Sequence, residues 1–559
     1  MGSMTVDRVL EALWRARGLD QAPDYALSRL LPPTLQGLDV AVARLEQALR
    51  RQESILVVGD FDADGATATV LAVTALKAMG AAHVDWKIPD RFRHGYGLSE
   101  RLVDELSLPL PDLLVTVDQG VGSLAGVALA KSRGIDVIVT DHHLPGLSLP
   151  VADAIINPNL EGDGFPSKHL AGVGVVFYLM VALRQHLRAA GYFKQIAEPR
   201  LDQWLDLVAL GTVADLVVLD DNNRRLVSQG LHRIRRGQTR PGIRALLEVA
   251  KRNLKYVDAA DLGFAVGPRL NAAGRLEDMS LGVRCLLATS ESQAADLAAQ
   301  LDAINVKRRE LQAEMQAQAM EQADRLMEHL EGDLPGACLF DPSWHQGLVG
   351  LVAGRVAERI QRPVVAFAPE EDGNEWLKGS ARSPAGIHMR DLLVEIDTAH
   401  PGLIERFGGH SGAAGLTIAG DRFEAFETAF RQMVAKIPTS EEVIRSDGEL
   451  PSDVLSVDLA ESIGMSGPWG QGFSEPLFDG QFLVLERRIV GTEHLKLQLQ
   501  PAGGGPVLDA IAFRAARLFR ETLPQPWHVT YRLEVNRWRG DIRLQLNIQH
   551  WVVEVLDSA

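Results

Sequence analysis

Only two cysteines, Cys285 and Cys338, occur in 559 residues. That excludes a framework of several disulfides, the count and spacing argue against a cysteine-ligated zinc site, and their apolar settings are those of free thiols in a reducing cytoplasm. Long hydrophobic runs are also missing. The longest, Ala171 to Leu183, is too short to span a bilayer and is expected to form a buried helix, so no membrane association is expected. No signal peptide is expected, and Met1-Gly2-Ser3-Met4 reads as a cloning remnant. Positive charge is scarce: 57 Lys and Arg against 73 Asp and Glu give a formal net charge of −16. That is the reverse of the positive surface expected of a nucleic-acid binder, although global charge does not decide the matter. Any phosphate contact must be local, a narrow basic channel on an acidic body, with strongly salt-sensitive binding. The apolar content, 46%, is ample for three or four cores.

What is present is acid in a particular arrangement. Gly59-Asp60-Phe61-Asp62-Ala63-Asp64-Gly65 follows the apolar run Ile55 to Val58 and precedes the helix-like stretch Ala66 to Val73. Strand, turn and helix in that order deliver side chains to the carboxyl edge of a parallel sheet, where α/β folds bind ligands. An EF-hand loop would also want Asp60, Asp62, Asp64 and Gly65, but its twelfth position is Leu71 instead of a bidentate Glu, and the segment before it reads as a strand. A solvated acidic turn is the other bland reading, opposed by the mutual repulsion of three neighbouring carboxylates.

The arrangement recurs downstream. Leu113 to Val117 ends in Asp118; Ile135 to Thr140 ends in Asp141-His142-His143; and Leu205 to Gly211 reads as a buried helix ending at Gly211, with Asp215 in the loop beyond. Alternation along an extended segment predicts that His142 and His143 point in different directions, so one imidazole at most serves a first metal. Five or six carboxylates and a histidine at strand ends supply ligands for two hard cations with shared acids, the imidazole tilting the choice from Mg²⁺ towards Mn²⁺. A metal pair activates water and stabilises the leaving oxygen in phosphoester hydrolysis.

The motifs around Asp60 to Gly65, Asp118, Asp141-His142-His143 and Gly211 to Asp215 resemble the signature of the DHH phosphoesterase superfamily. Gly267-Pro268-Arg269-Leu270-Asn271-Ala272-Ala273-Gly274-Arg275, Trp344-His345-Gln346-Gly347, Gly379-Ser380-Ala381-Arg382-Ser383 and Phe407-Gly408-Gly409-His410 extend the resemblance to the RecJ family of single-strand-specific DNA exonucleases, from about the fiftieth residue to near the end. The resemblance implies processive 5′-to-3′ hydrolysis to nucleoside 5′-monophosphates in DNA repair and recombination, with two Mn²⁺ or Mg²⁺ ions. It assigns Asp62, Asp64, Asp118, His142 and Asp215 to the metals, with Asp60 the least defined ligand. Asp118 would bridge the ions. His143 would face the scissile phosphate as support or as proton donor, or serve as a structural hydrogen-bonding histidine, while Asp141 would orient an imidazole.

The same resemblance places Arg269, Asn271, Arg275, Ser380, Arg382 and His410 around the nucleotide and its 5′ end, and Arg91 and Tyr96 along the entry channel. Tyr96 could stack on a base or simply pack in a helix-entry loop. Forked guanidinium groups suit phosphate, and the Gly379 and Gly408-Gly409 segments read as anion cradles. Arg233, Arg235, Arg236, Arg240 and Arg244 could track a phosphate backbone or form a solvated face. Single-stranded DNA is the implied partner, with single-strand-binding protein and a helicase as further ones, and the enzyme is expected to act as a monomer. Its rivals are a DHH phosphoesterase for short oligonucleotides and a catalytically silent replication scaffold.

Along the chain, residues 1–50 read as a helical preface and 51–285 as a doubly wound parallel α/β domain. Residues 286–333 read as a long helix opened by Ser290-Glu291-Ser292-Gln293 and spanning roughly 55 Å. Residues 334–440 form a smaller α/β domain, DHHA1-like by the resemblance, without metal acids, so that the active site falls between the two lobes. Residues 450–559 alternate apolar and polar as in an antiparallel barrel, OB-like by resemblance, with Arg537, Trp538 and Arg539 as strand-binding or merely core and rim residues.

Overall fold

The apolar runs pair as strands in the computed structural model, which describes residues 5–551 apart from 195, 330–333, 371–372, 385, 410, 438–442, 520–524 and 538–540. In the first lobe β1 (Ile55–Val58), β2 (Val84–Lys87), β3 (Leu113–Val117), β4 (Asp136–Thr140) and β5 (Ala154–Ile156) form an all-parallel sheet in the order β2-β1-β3-β4-β5. The centre of this sheet is buried on both faces by helices, which explains the near-continuous apolar strands. The order reverses at β1 and β3, and the loops leaving these strands carry Asp60 to Asp64 and Asp118. The run Ala171 to Leu183 lies in the buried helix Gly172–Ala189.

One expectation about this lobe fails. The helix Leu205–Ala214 does not end at Gly211 but runs through it, with Asp215 as its C-terminal cap. Gly211 is a packing glycine: a Cβ there would sit 2.3 Å from Thr67 Oγ1 and 2.6 Å from Asp64 Oδ1. The helix is pressed against the acid motif, and only a residue without a side chain permits it.

The 39-residue helix Glu291–His329 opens as expected, Ser290 Oγ accepting the Gln293 N–H at 3.2 Å. At 1.5 Å per residue it is about 58 Å long. It packs on the first lobe at one end and on the second lobe at the other. There β6 (Ala337–Phe340), β7 (Val364–Glu370), β8 (Gly373–Arg382), β9 (Arg406–Gly409) and β10 (Ala413–Ala419) make a mixed sheet ordered β6-β7-β8-β10-β9.

The last strands, β11 (Phe478–Val490), β12 (His494–Pro501), β13 (Leu508–Ala512), β14 (Trp527–Asn536) and β15 (Arg543–Trp551), close into a five-stranded barrel. The expected antiparallel pairing of β14 with β15 is present, Val535 facing Leu544, but the barrel is not antiparallel throughout as expected, because β13 and β15 pair in parallel where the barrel closes. The N-terminal residues divide between two cores. Val9 packs into the barrel cluster, while Leu38 to Leu49 belong to the first lobe. Trp14 joins the two by stacking on Trp469 and Phe473, with centroids 5.7 and 6.3 Å away. Among the described residues no helix is long and apolar enough to cross a membrane.

Candidate metal centre and anion site

Acids at the ends of parallel strands meet because the sheet register brings the strand ends level. Val58 pairs with Thr116, and Val117 with Thr140, so the loops after β1, β3 and β4 open at one edge. The first loop is held from three directions. Asp62 caps the helix Ala63–Ala78 by accepting the Gly65 N–H at 2.9 Å, and Asn271 Oδ1 accepts the Ala63 N–H at 2.7 Å. Asp64 accepts the N–H groups of Gly172 and Val173 at 2.6 and 3.0 Å, at the start of the helix Gly172–Ala189, where the helix dipole favours an anion.

Asp118 takes a left-handed conformation, φ 62°, that a non-glycine residue adopts only when its surroundings impose it. Its Oδ1 lies 3.1 Å from His142 Nε2, which is in turn 3.5 Å from Asp215 Oδ2. Ligand atoms of Asp60, Asp62 and Asp118 lie within 4.8 Å of one another, as do those of Asp64, His142 and Asp215. These two adjoining triplets contain all six residues that the sequence proposed as metal ligands. A third triplet links Asp118 with both His142 and His143.

The two imidazoles therefore do not diverge as strand alternation predicted. β4 stops at Thr140, and Asp141 Oδ1 accepts the backbone N–H groups of both histidines, at 2.7 and 3.0 Å. The resulting tight turn puts the rings 4.4 Å apart. The same carboxylate oxygen binds His143 Nδ1 at 2.7 Å, and Asp141 Oδ2 accepts the Val121 N–H. Asp141 thus orients an imidazole and stands outside the acid triplets.

The electrostatics fit a cation pair. Burial, then repulsion from neighbouring acids, raises Asp60, Asp118 and Asp215 well above the usual carboxylate range, and lifts Asp64 to about 7. Asp118 Oδ1 is fully buried and makes no hydrogen bond among the described residues. Compact oxygen donors with one imidazole, repelling each other in a dry pocket, form a donor set for Mn²⁺ or Mg²⁺. Burial pulls the His143 imidazole down, but Asp141 outweighs it and carries the group up to about 9.

Beside the acids stands a group of cations. The Arg91 guanidinium lies 4.5 Å over the Phe61 ring, near Asp60 and Asp62. Arg275 is pushed down to about 9, first by burial and then by the positive charges of Arg91, Arg382 and Arg308. Arg382 donates to Ser380 Oγ at 2.9 Å, and both residues face Gly350 at the start of the helix Val349–Ile360. Arg275 also reaches across the lobes to the Gly347 carbonyl at 3.2 Å. The Tyr96 hydroxyl sits 3.1 Å from His143 Nδ1 and 3.2 Å from its Nε2.

Other candidates are occupied elsewhere. Arg269 pairs with Asp302 at 2.8 Å and donates to the Ala265 carbonyl, tying the helix Gly267–Leu276 to the long helix. Asn271 serves as the cap described above. Gly379 and Gly409 are packing glycines, since a Cβ on either would meet the Phe367 ring or the Ala413 carbonyl. In the basic run, Arg233, Arg240 and Arg244 pair with Asp202, Asp206 and Glu291, and Arg235 donates to the Val257 carbonyl. Those guanidinium groups are committed internally, which matches neither a phosphate track nor a solvated face. Arg537 stacks over Tyr256 of the first lobe at 4.2 Å. His410, Trp538 and Arg539 lie outside the described residues. Sequence reasoning missed Arg308, on the long helix, which no local pattern sets apart, and Phe61, whose place between Asp60 and Asp62 was the available signal.

Models of known families match three stretches: the DHH family N-terminal domain over residues 54–212, the DHHA1 domain over 333–436 and the RecJ OB domain over 446–550. A curated single-stranded-DNA-specific exonuclease RecJ from Dickeya dadantii is 51% identical, across 97% of this chain and 95% of the relative. That of Escherichia coli is 49% identical with the same coverage. A crystal structure of RecJ with Mn²⁺ from Thermus thermophilus superposes with a TM-score of 0.80 at 30% identity, over 98% of this chain and 76% of that one. The Mg²⁺ complex from the same organism gives 0.75 at 30% identity, covering 99% and 76%. Identity of this extent, carried through all three modules, shows that the chain belongs to the RecJ family.

Proposed function

We propose that this chain is a single-strand-specific DNA exonuclease acting 5′ to 3′, releasing nucleoside 5′-monophosphates in DNA repair and recombination. The observation that carries the reading is the meeting of two opposite charge clusters. Six metal-competent side chains of the first lobe stand against arginines drawn from both lobes and the long helix. An anion anchor beside a hydrolytic centre measures off a chain end, as an exonuclease requires.

In this reading Asp60, Asp62, Asp64, Asp118, His142 and Asp215 would hold the ions, with Asp118 as the shared acid. Two Mn²⁺ or Mg²⁺ ions there would supply an activated water and neutralise charge on the scissile phosphate. His143, oriented by Asp141, donates a proton towards the leaving oxygen. Arg91, Arg275, Arg382 and Ser380 hold the terminal phosphate, Arg382 as a fork already fixed by Ser380. Tyr96, 55% exposed beside His143, stacks on a base without regard to sequence.

We divide the work by segment: 51–285 for chemistry, 286–333 as spacer, 334–440 for the strand end and 450–559 for holding the incoming strand, with 1–50 tying lobe to barrel. The buried free thiols Cys285 and Cys338 support a cytoplasmic enzyme, which we place there as a monomer serving single-strand-binding protein and a helicase. The decisive assay compares a 5′-labelled single strand with a blunt duplex, in Mn²⁺ or chelator. Release of labelled mononucleotide from the single strand alone, abolished by chelator, is expected; equal digestion of duplex, or activity confined to dinucleotides, would refute it.

A further inference from the structure

The turn that carries Arg91 and Tyr96 belongs to no helix or strand, yet it holds two side chains at the acid cluster. Its closure centres on His94. Nδ1 of this ring accepts the Asp90 N–H at 2.8 Å, while Nε2 lies 3.0 Å from Glu105 Oε2, at the end of the helix Glu100–Asp104. Asp90 completes the loop: its Oδ1 accepts the N–H groups of Phe92 and Arg93 at 2.8 and 2.9 Å, and its carbonyl accepts the His94 N–H at 2.8 Å. A neutral imidazole with its proton on Nε2 satisfies both partners at once. The ring is 7% exposed, and Glu105 is held down to about 2, first by His94 and then by Arg101 and Arg93. The anchor therefore stays charged.

The pinned turn does three things. It sets Arg91 over Phe61, it sets Tyr96 against His143, and it lays the Phe92 ring edge-on to His345 of the second lobe, with centroids 5.8 Å apart at 86°. A surface turn needs no such convergence for stability alone.

We infer that His94 is a positioning residue: by tying residues 90–94 to Glu105 it fixes where Arg91 and Tyr96 meet the substrate and keeps Phe92 on the second lobe. The inference rests on the function proposed above, in which Arg91 holds phosphate and Tyr96 a base. Without the tie, both side chains must be ordered anew at each binding event, and that entropic cost falls on substrate affinity.

The test is steady-state kinetics on a 5′-phosphorylated single strand with Mn²⁺, together with melting midpoints with and without the ion. His94→Ala is expected to raise KM about tenfold while the midpoint rise on adding Mn²⁺ matches the parent. His94→Gln, which keeps an N–H for Glu105, recovers part of the loss. In an Arg91→Ala/Tyr96→Ala background, adding His94→Ala changes KM less than about twofold, because the three residues act through one contact set. A full tenfold loss in that background, or a His94→Ala KM equal to the parent's, overturns the inference. Should His94→Ala not fold, Glu105→Ala removes the outer anchor together with its pairs to Arg93 and Arg101 and is held to the same criteria. If Arg91→Ala/Tyr96→Ala itself behaves as the parent, the substrate roles fail, an outcome distinct from failure of the tie.

Discussion

Asp118 and His142 face each other at 3.1 Å across a pocket that neither could occupy in isolation: the aspartate is 2% exposed and adopts a left-handed backbone, φ 62°. Repulsion from Asp64, Asp62, Asp215 and Asp60 follows burial in raising its carboxyl. The fold thus stores charge repulsion that bound cations would relieve, and stability and activity pull in opposite directions at this residue.

Asp118→Asn should lower the rate at least a thousandfold, since it removes the group shared by two triplets. In chelator the same variant should melt higher than the parent by several degrees, because a neutral amide relieves the repulsion. The gain in midpoint on adding Mn²⁺ should shrink. Calorimetry with and without the ion checks both halves.

Gly211→Ala offers a steric test of the same site. The added methyl meets Thr67 Oγ1 and Asp64 Oδ1 at 2.3 and 2.6 Å, so either the helix Leu205–Ala214 or the acid loop must move. We expect a loss of about 1–3 kcal/mol in stability and a rate reduced a hundredfold or more, measured by denaturant unfolding and by nuclease assay.

Arg382→Ala should raise KM and lower kcat/KM by about 2–3 kcal/mol on 5′-phosphorylated strands. On strands ending in a 5′-hydroxyl the penalty should be smaller. A uniform penalty on both substrates would assign Arg382 to packing.

Glu475 carries a pH prediction away from the metals. Burial lifts it to about 7, with Arg532 at 3.6 Å only partly opposing. Below the ordinary value of 4.5 both folded and unfolded chains hold the proton; from there to about 7 the folded chain alone keeps it. Stability therefore falls as pH rises through that window, by about 3 kcal/mol. Glu475→Gln should flatten the profile of unfolding free energy between pH 4.5 and 7.

The residues show how far sequence reaches. Asp60, Asp62, Asp64 and Asp118 were legible because each follows a short β-branched run, and parallel strands bring their carboxyl ends to one edge whatever the loops do. Asp215 was found although its helix was misjudged, since glycine signals a helix end and close packing alike, and Gly211 is the latter. Arginine identity does not reveal its partner: Arg269 looks as suited to phosphate as Arg275, yet Asp302, on a distant helix, claims it. His142 and His143 defied alternation because Asp141 folds the chain into a turn one residue after β4. The stacking of Trp14 on Trp469 joins residues so far apart in the chain that no local pattern could announce it.

The most direct measurement is anomalous diffraction from crystals soaked in Mn²⁺. Two peaks are predicted, one among Asp60, Asp62 and Asp118 and one among Asp64, His142 and Asp215. A single peak elsewhere, or none at full soaking, would contradict the account.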